Sequence, residues 1–216
     1  MKYTLGILDE EQTQIDLISE CFKNSFNIVK IDYVEEVDDL IDIIKSEKVD
    51  IISIDYKLKD HNSSMQFNGD YFFKELIDKF DGFPAFVLTQ DVSSAKNESK
   101  KISPRFIVDK TVIHNFLDPK NSQSKEDFIK ELILEIEVHK DKIKEEIDEL
   151  RKLEAILESK EKLDEDKENR YIELNNKLAK SISGYSSLPQ KYFSQDTNSR
   201  IDLLINKTEE LLKKLS

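Results

Sequence analysis

DIISIDYKL, residues 50–58, is the stretch on which the reading of this chain turns. Ile51–Ile54 is a short, nearly continuous apolar run, the mark of a strand buried on both faces, and it stops on a carboxylate, Asp55. Three other apolar runs also stop on chemically useful side chains. LGIL (5–8) runs into Asp9, Glu10 and Glu11; AFVL (85–88) meets Thr89; RFIV (105–108) passes through Asp109 to Lys110. If these strands lie parallel, their carboxyl ends share one edge and those side chains meet there.

The segments between the strands have helical periodicity. Strands are expected at Tyr3–Leu8, Asn27–Tyr33, Asp50–Ile54, Phe83–Leu88 and Arg105–Asp109, and helices at Gln12–Phe22, Val37–Ile44 and Asp70–Phe80. Leu58–Gly69 reads as a polar loop. Val92–Ile102 is expected to be a poorly packed helix, because SSAKNESKK (93–101) offers only Ala95 to a core. Strands alternating with helices imply an α/β fold with a doubly wound, parallel five-stranded sheet of the (βα)5, flavodoxin-like kind. A ligand site in such a sheet lies beyond the carboxyl ends of its strands.

Composition narrows the function classes. Formal net charge is −12 over 216 residues, and acids outnumber bases in both halves, so the basic footprint of a nucleic-acid binder is missing. No apolar run approaches a membrane span, and acids within the first ten residues are unlike a signal peptide. The lone Cys21 sits on the apolar side of the first helix and reads as core. With no intrachain disulfide possible, a cytoplasmic location is expected. His61, His114 and His139 lack metal-ligand spacing, so no zinc site is expected.

DPKNSQS (118–124) reads as a linker, with Ser124 as the N-cap of the helix beyond it, and divides the chain into domains 1–123 and 124–216. The second is all-helical. Every seventh residue from Ile129 gives Ile136, Ile143, Leu150, Leu157, Asp164, Tyr171, Leu178 and Tyr185; all but Asp164 are apolar or aromatic, a coiled-coil seam. An unbroken register favours one helix of about 58 residues, roughly 87 Å long. A hairpin turning near Asp164–Asn169 is the alternative. Gly184–Gln195 reads as a break, and Asp196–Leu215 as a last amphipathic helix.

The strand-end residues suggest one chemistry. Asp9, Glu10 and Asp55 would repel one another unless a cation joined them, and hard oxygen donors in a loose frame suit Mg2+. A carboxylate can also act as a nucleophile and form an acyl phosphate. Asp55 suits that role, with Lys110 and Thr89 as ammonium and hydroxyl partners of the phosphoryl oxygens.

LGILDEE, IISIDYKL, VLTQ and FIVDK, in this order and spacing, make residues 1–123 resemble a response-regulator receiver domain of two-component signalling. The resemblance implies that Asp55 is the phospho-acceptor. It implies that Asp9, Glu10, Asp55 and the main-chain carbonyl of Lys57 bind Mg2+, and that Thr89 and Lys110 contact the phosphoryl group. The phosphodonor would be a histidine kinase or phosphotransfer protein. The sequence departs from the family at four places. The Asp55–Gly69 loop is longer; Gln90 replaces a small residue; Thr111 replaces proline; and Ile107 holds the switch-aromatic position, with Phe106 one place off.

The leading expectation is a phosphorylated receiver, not an enzyme, signalling through a helical protein-interaction region. A homodimer through the Ile129–Leu157 seam is expected. The alternative is a receiver-like adaptor that is never phosphorylated. An enzyme with an aspartyl-phosphate intermediate is weaker, for want of a second acid–base carboxylate beside the metal acids.

Overall fold

The computed structural model describes residues 2–31, 34–61, 67–80, 82–98, 102–159 and 163–180. Five strands, β1 (Tyr3–Leu8), β2 (Phe26–Ile31), β3 (Ile51–Asp55), β4 (Ala85–Thr89) and β5 (Ile107–Asp109), form one sheet in the order β2-β1-β3-β4-β5, and every pair is parallel. This is the doubly wound, flavodoxin-like order with its switch point between β1 and β3.

Alternation along the strands feeds two apolar layers. Ile52, Ile54, Ala85 and Val87 face α2 (Val37–Ser46), α4 (Gly69–Lys79) and α5 (Val92–Glu98). Leu5, Ile7, Ile51, Phe86 and Leu88 face α1 (Gln12–Phe22), where Cys21 is buried as expected. The thin helix expected after β4 exists as the seven-residue α5, and Ala95 is its buried anchor.

Several elements differ from expectation. The polar loop after Asp55 opens with a single helical turn, α3 (Leu58–His61), because Leu58 is drawn into the core. Residues 104–106 form a 3-10 turn, so β5 starts only at Ile107. A short helix, α6 (Lys110–Asn115), follows β5 at once. Asp109 caps it by accepting from the Thr111 N–H at 2.8 Å, a donor that proline would lack. The expected linker is a 3-10 turn capped by Asp118 and then the start of α7 (Ser122–Glu158), so Ser124 lies inside the helix and is not its N-cap.

The change of composition at residue 124 does not coincide with the edge of the sheet's core. Leu132 and Ile136 of α7 are buried against β1, β4 and α1, with Phe128, Ile129 and Ile133 packed beside them. The first turns of α7 thus serve as the last covering helix of the sheet. Farther on, Lys140 pairs with Asp50 at 2.6 Å and lies over the Tyr3 ring, which holds α7 to the amino ends of the strands.

The single long helix is overturned in favour of the hairpin. α7 ends at Glu158, and α8 (Glu165–Lys180) packs back along it. Arg170 grips Glu149 through two hydrogen bonds, and Lys177 pairs with Glu146 at 2.6 Å, so α8 runs antiparallel. Asp164, the one polar member of the seven-residue row, caps α8 by accepting from the Lys167 N–H. The row itself is real, but its partner changes along the chain. Ile129 and Ile136 meet the sheet, whereas Ile143, Leu150, Tyr171 and Leu178 meet the other arm of the hairpin. Among the described residues, the seam expected to pair two chains is therefore filled within one. The Gly184–Gln195 break and the Asp196–Leu215 helix lie outside the described residues.

Candidate functional site

The strand register assembles the site. Leu8 pairs with Ile54, so Asp9 emerges beside Asp55; Asp55 pairs with Leu88, so Thr89 follows; Thr89 pairs with Asp109, and Lys110 comes next. Three side chains converge. The Lys110 ammonium lies 2.5 Å from Asp55 Oδ1 and 3.0 Å from Asp9 Oδ2. All three residues are nearly closed to solvent, at 1% exposure for Asp9, 5% for Asp55 and 7% for Lys110.

The second oxygen of each aspartate is held by the main chain. Asp55 Oδ2 accepts from the Lys57 N–H at 2.8 Å, and Asp9 Oδ1 accepts from the Glu11 N–H at 2.9 Å. Thr89 is buried at the end of β4, where its hydroxyl accepts from the Asp91 N–H at 3.1 Å. Glu10 is half-buried, and its Oε2 is closed to solvent with no hydrogen-bond partner.

The charges do not balance. Three carboxylates stand near one ammonium, and burial, with these charges adding to it or opposing it, sets the titration shifts. Burial pulls the Lys110 pKa down, but the Asp55 and Asp9 charges and their hydrogen bonds more than reverse it, so the lysine stays protonated. Burial raises the Asp9 pKa; Lys110 opposes this and Asp55 adds to it. Glu10 is pushed up to about 7, by burial first, with the nearby Asp55 and Asp9 charges adding. Lysine gains from two opposite charges, while each acid faces like charge as well.

An orphaned buried carboxylate oxygen and an excess of negative charge fit a small divalent cation, because oxygen donors of this kind suit Mg2+. Among the described residues, no three His, Cys, Asp or Glu side chains stand in coordination geometry. The Lys110 ammonium is the cation between the two aspartates.

Of the other expected features, Ile107 points into the core on the α4 side. Phe106 packs against Phe73 with the Arg105 guanidinium 4.4 Å above its ring.

Sequence reading missed Gly69. Its N–H donates to the Tyr56 carbonyl at 2.9 Å, and a Cβ there would lie 1.9 Å from the Asp55 carbonyl oxygen. The chain therefore returns from the long loop hard against the end of β3, where only glycine fits. The available signal was scarcity, since the chain has four glycines in all. Gly69→Ala is expected to cost about 3 kcal/mol, because the backbone itself must move. A fall in the urea midpoint at unchanged m-value checks this.

No protein-family model matches the sequence, and no curated protein does. Solved structures do show similarity. The N-terminal signal receiver domain of a two-component response regulator from Bacteroides fragilis is 16% identical, covers 51% of this chain and 86% of its own, and superposes with a TM-score of 0.41. The RcsB response regulator of Salmonella typhimurium is 15% identical over 99% of this chain and 83% of its own, at a TM-score of 0.42. A fusion protein carrying a yeast Spc42 trimeric coiled coil is 17% identical over 74% of this chain and 97% of its own, at 0.46.

Proposed function

We infer that the protein is a two-component response regulator whose receiver half accepts a phosphoryl group on Asp55. The observation that carries this reading is the buried Asp9–Lys110–Asp55 bridge with Glu10 as a third, unsatisfied acid beside it. A structural ion pair would balance its charges; this group is left short of positive charge at the switch point of the sheet. Mg2+ would be held by Asp9, Glu10, Asp55 and the main-chain carbonyl of Lys57. When bound, it would neutralise charge on the transferred phosphoryl oxygens.

The roles of the chain's own residues follow from their placement. An Asp55 oxygen attacks the phosphorus of a phosphohistidine on the donor kinase or phosphotransfer protein. The P–N bond breaks, and the imidazole keeps the electron pair and takes up a proton. Lys110 exchanges part of its contact with Asp55 for a phosphoryl oxygen, and the Thr89 hydroxyl donates to another. Lys110 begins α6, and α6 leads through residues 116–121 into α7. Rearrangement around Lys110 would thus bear on the helix that covers the sheet and continues into the hairpin. The hairpin serves as a protein-interaction output and is given no enzymatic role.

One observation favours the adaptor reading: both Asp55 oxygens are already engaged, by Lys110 and by the Lys57 N–H. Beryllofluoride with Mg2+, which mimics an acyl phosphate, separates the two. The wild-type chain is expected to bind it and Asp55→Asn is not, by 19F resonance or calorimetry. Absence of binding by the folded wild type would leave the adaptor.

A further inference from the structure

Lys110 has no loop to position it. β5 ends at Asp109, whose backbone pairs with Thr89, and α6 begins on Lys110 itself. The sheet fixes the residue before the lysine, and the helix fixes the lysine. The joint between them sets where the side chain starts. A flexible four-carbon stem then carries the ammonium into a buried bridge, 2.5 Å from Asp55 and 3.0 Å from Asp9. A shift of about 1 Å at the root of that stem pulls the ammonium off one carboxylate or the other.

The two ends of α6 are held differently. Ile113 is buried, and its carbonyl accepts from the Cys21 Sγ at 3.4 Å; Phe116, just past the helix, packs into the same layer. His114 meets Gln14 of α1 at 3.1 Å. The first turn is closed instead by the Asp109 carboxylate, whose Oδ1 accepts from the Thr111 N–H at 2.8 Å. Thr111 and Val112 beside it are exposed. A helix of six residues is too short to hold such a turn by its own hydrogen bonds.

We propose that Asp109 is a positioning residue for phosphoryl transfer at Asp55: its carboxylate closes the first turn of α6 and so aims the Lys110 ammonium at Asp9 and Asp55. The part in transfer rests on the reading of Asp55 as the acceptor; the aiming of Lys110 stands on the geometry alone. Asp109 acts through Lys110 rather than on the phosphoryl group itself. The role needs a short side chain with an acceptor oxygen, and a main-chain N–H at 111 to receive. It does not need the negative charge. Asparagine and serine meet that need and alanine does not.

The test compares the full-length wild type, Asp109→Asn and Asp109→Ala by two readouts. The first is the 15N signal of the buried Lys110 ammonium, assigned by its loss in Lys110→Met. It is expected in the wild type and in Asp109→Asn, and expected to vanish in Asp109→Ala while the β3 amide signals stay in place. The second is binding of beryllofluoride with Mg2+, expected to weaken at least about 5-fold in Asp109→Ala and to stay within about 2-fold of wild type in Asp109→Asn. If Asp109→Ala does not fold, Asp109→Gly takes its place with the same expectation, because glycine lacks the acceptor yet disturbs a helix start far less. A wild-type ammonium signal in the uncapped variant would overturn the proposal. So would its loss from Asp109→Asn, which would assign the effect to charge. Failure of the wild type to bind beryllofluoride, with the ammonium responding as stated, would overturn the acceptor reading and the part of Asp109 in transfer, and would uphold its hold on Lys110.

Discussion

Ending the chain after residue 123 is expected to unfold the sheet, although the composition of the sequence suggests a natural boundary there. The cut removes Leu132 and Ile136, both buried against β1, β4 and α1, and with them Phe128. The Phe128 ring lies 6.1 Å from Phe22, 6.0 Å from Phe86 and 5.6 Å from Phe116, so its loss uncovers an aromatic cluster. At about 1.5–3 kcal/mol for each fully buried side chain, Leu132 and Ile136 alone account for about 3–6 kcal/mol, and half-buried Phe128 adds to it. That is comparable to the whole stability of an ordinary domain, about 5–15 kcal/mol. A chain ending after Lys142 keeps these contacts and the Lys140–Asp50 pair, and is expected to fold. Near-ultraviolet circular dichroism and urea unfolding compare the two directly. A cooperative transition for 1–123 within about 2 kcal/mol of 1–142 would mean that α7 is dispensable to the sheet.

The two cuts differ because periodicity reveals that a stripe is buried, never what buries it. The row from Ile129 to Leu178 was legible in the sequence, yet Ile136 meets a sheet and Leu150 meets a helix, and nothing in either leucine or isoleucine distinguishes those partners. Asp164 held the clue. It is the one polar member of the row, and a short polar residue before a helical run is a capping signal. The strand ends were legible for the opposite reason. A parallel sheet places consecutive strand termini on one edge by geometry, so Asp9, Asp55, Thr89 and Lys110 could be brought together from their positions after apolar runs. Gly69 was not legible, because its role depends on where a long loop returns. Neither was α6, whose first turn is settled by one hydrogen bond between Thr111 and Asp109.

Replacing Lys110 by methionine, which keeps the bulk and removes the charge, is expected to cost about 3–5 kcal/mol with divalent cations chelated, because two buried carboxylates lose their counter-ion. The pH response carries the sign of the effect. Asp9 has its pKa raised in the folded chain, so the folded state binds more protons than the unfolded one above the ordinary carboxylate range. Stability then falls as pH rises through that interval and recovers on acidification. Without the ammonium the shift grows, so Lys110→Met is expected to regain stability between pH 7 and pH 5 more steeply than the wild type. Asp9→Asn in the same chain removes one of the repelling charges, and the double variant is expected to be more stable than Lys110→Met alone, a coupling that a thermodynamic cycle measures. Mg2+ is expected to restore the single variant as well, by binding the folded state alone. If Lys110→Met costs less than about 1 kcal/mol and ignores Mg2+, the acids of this edge do not depend on a shared cation. A phosphoryl group brought to Asp55 would then find no site prepared for its charge.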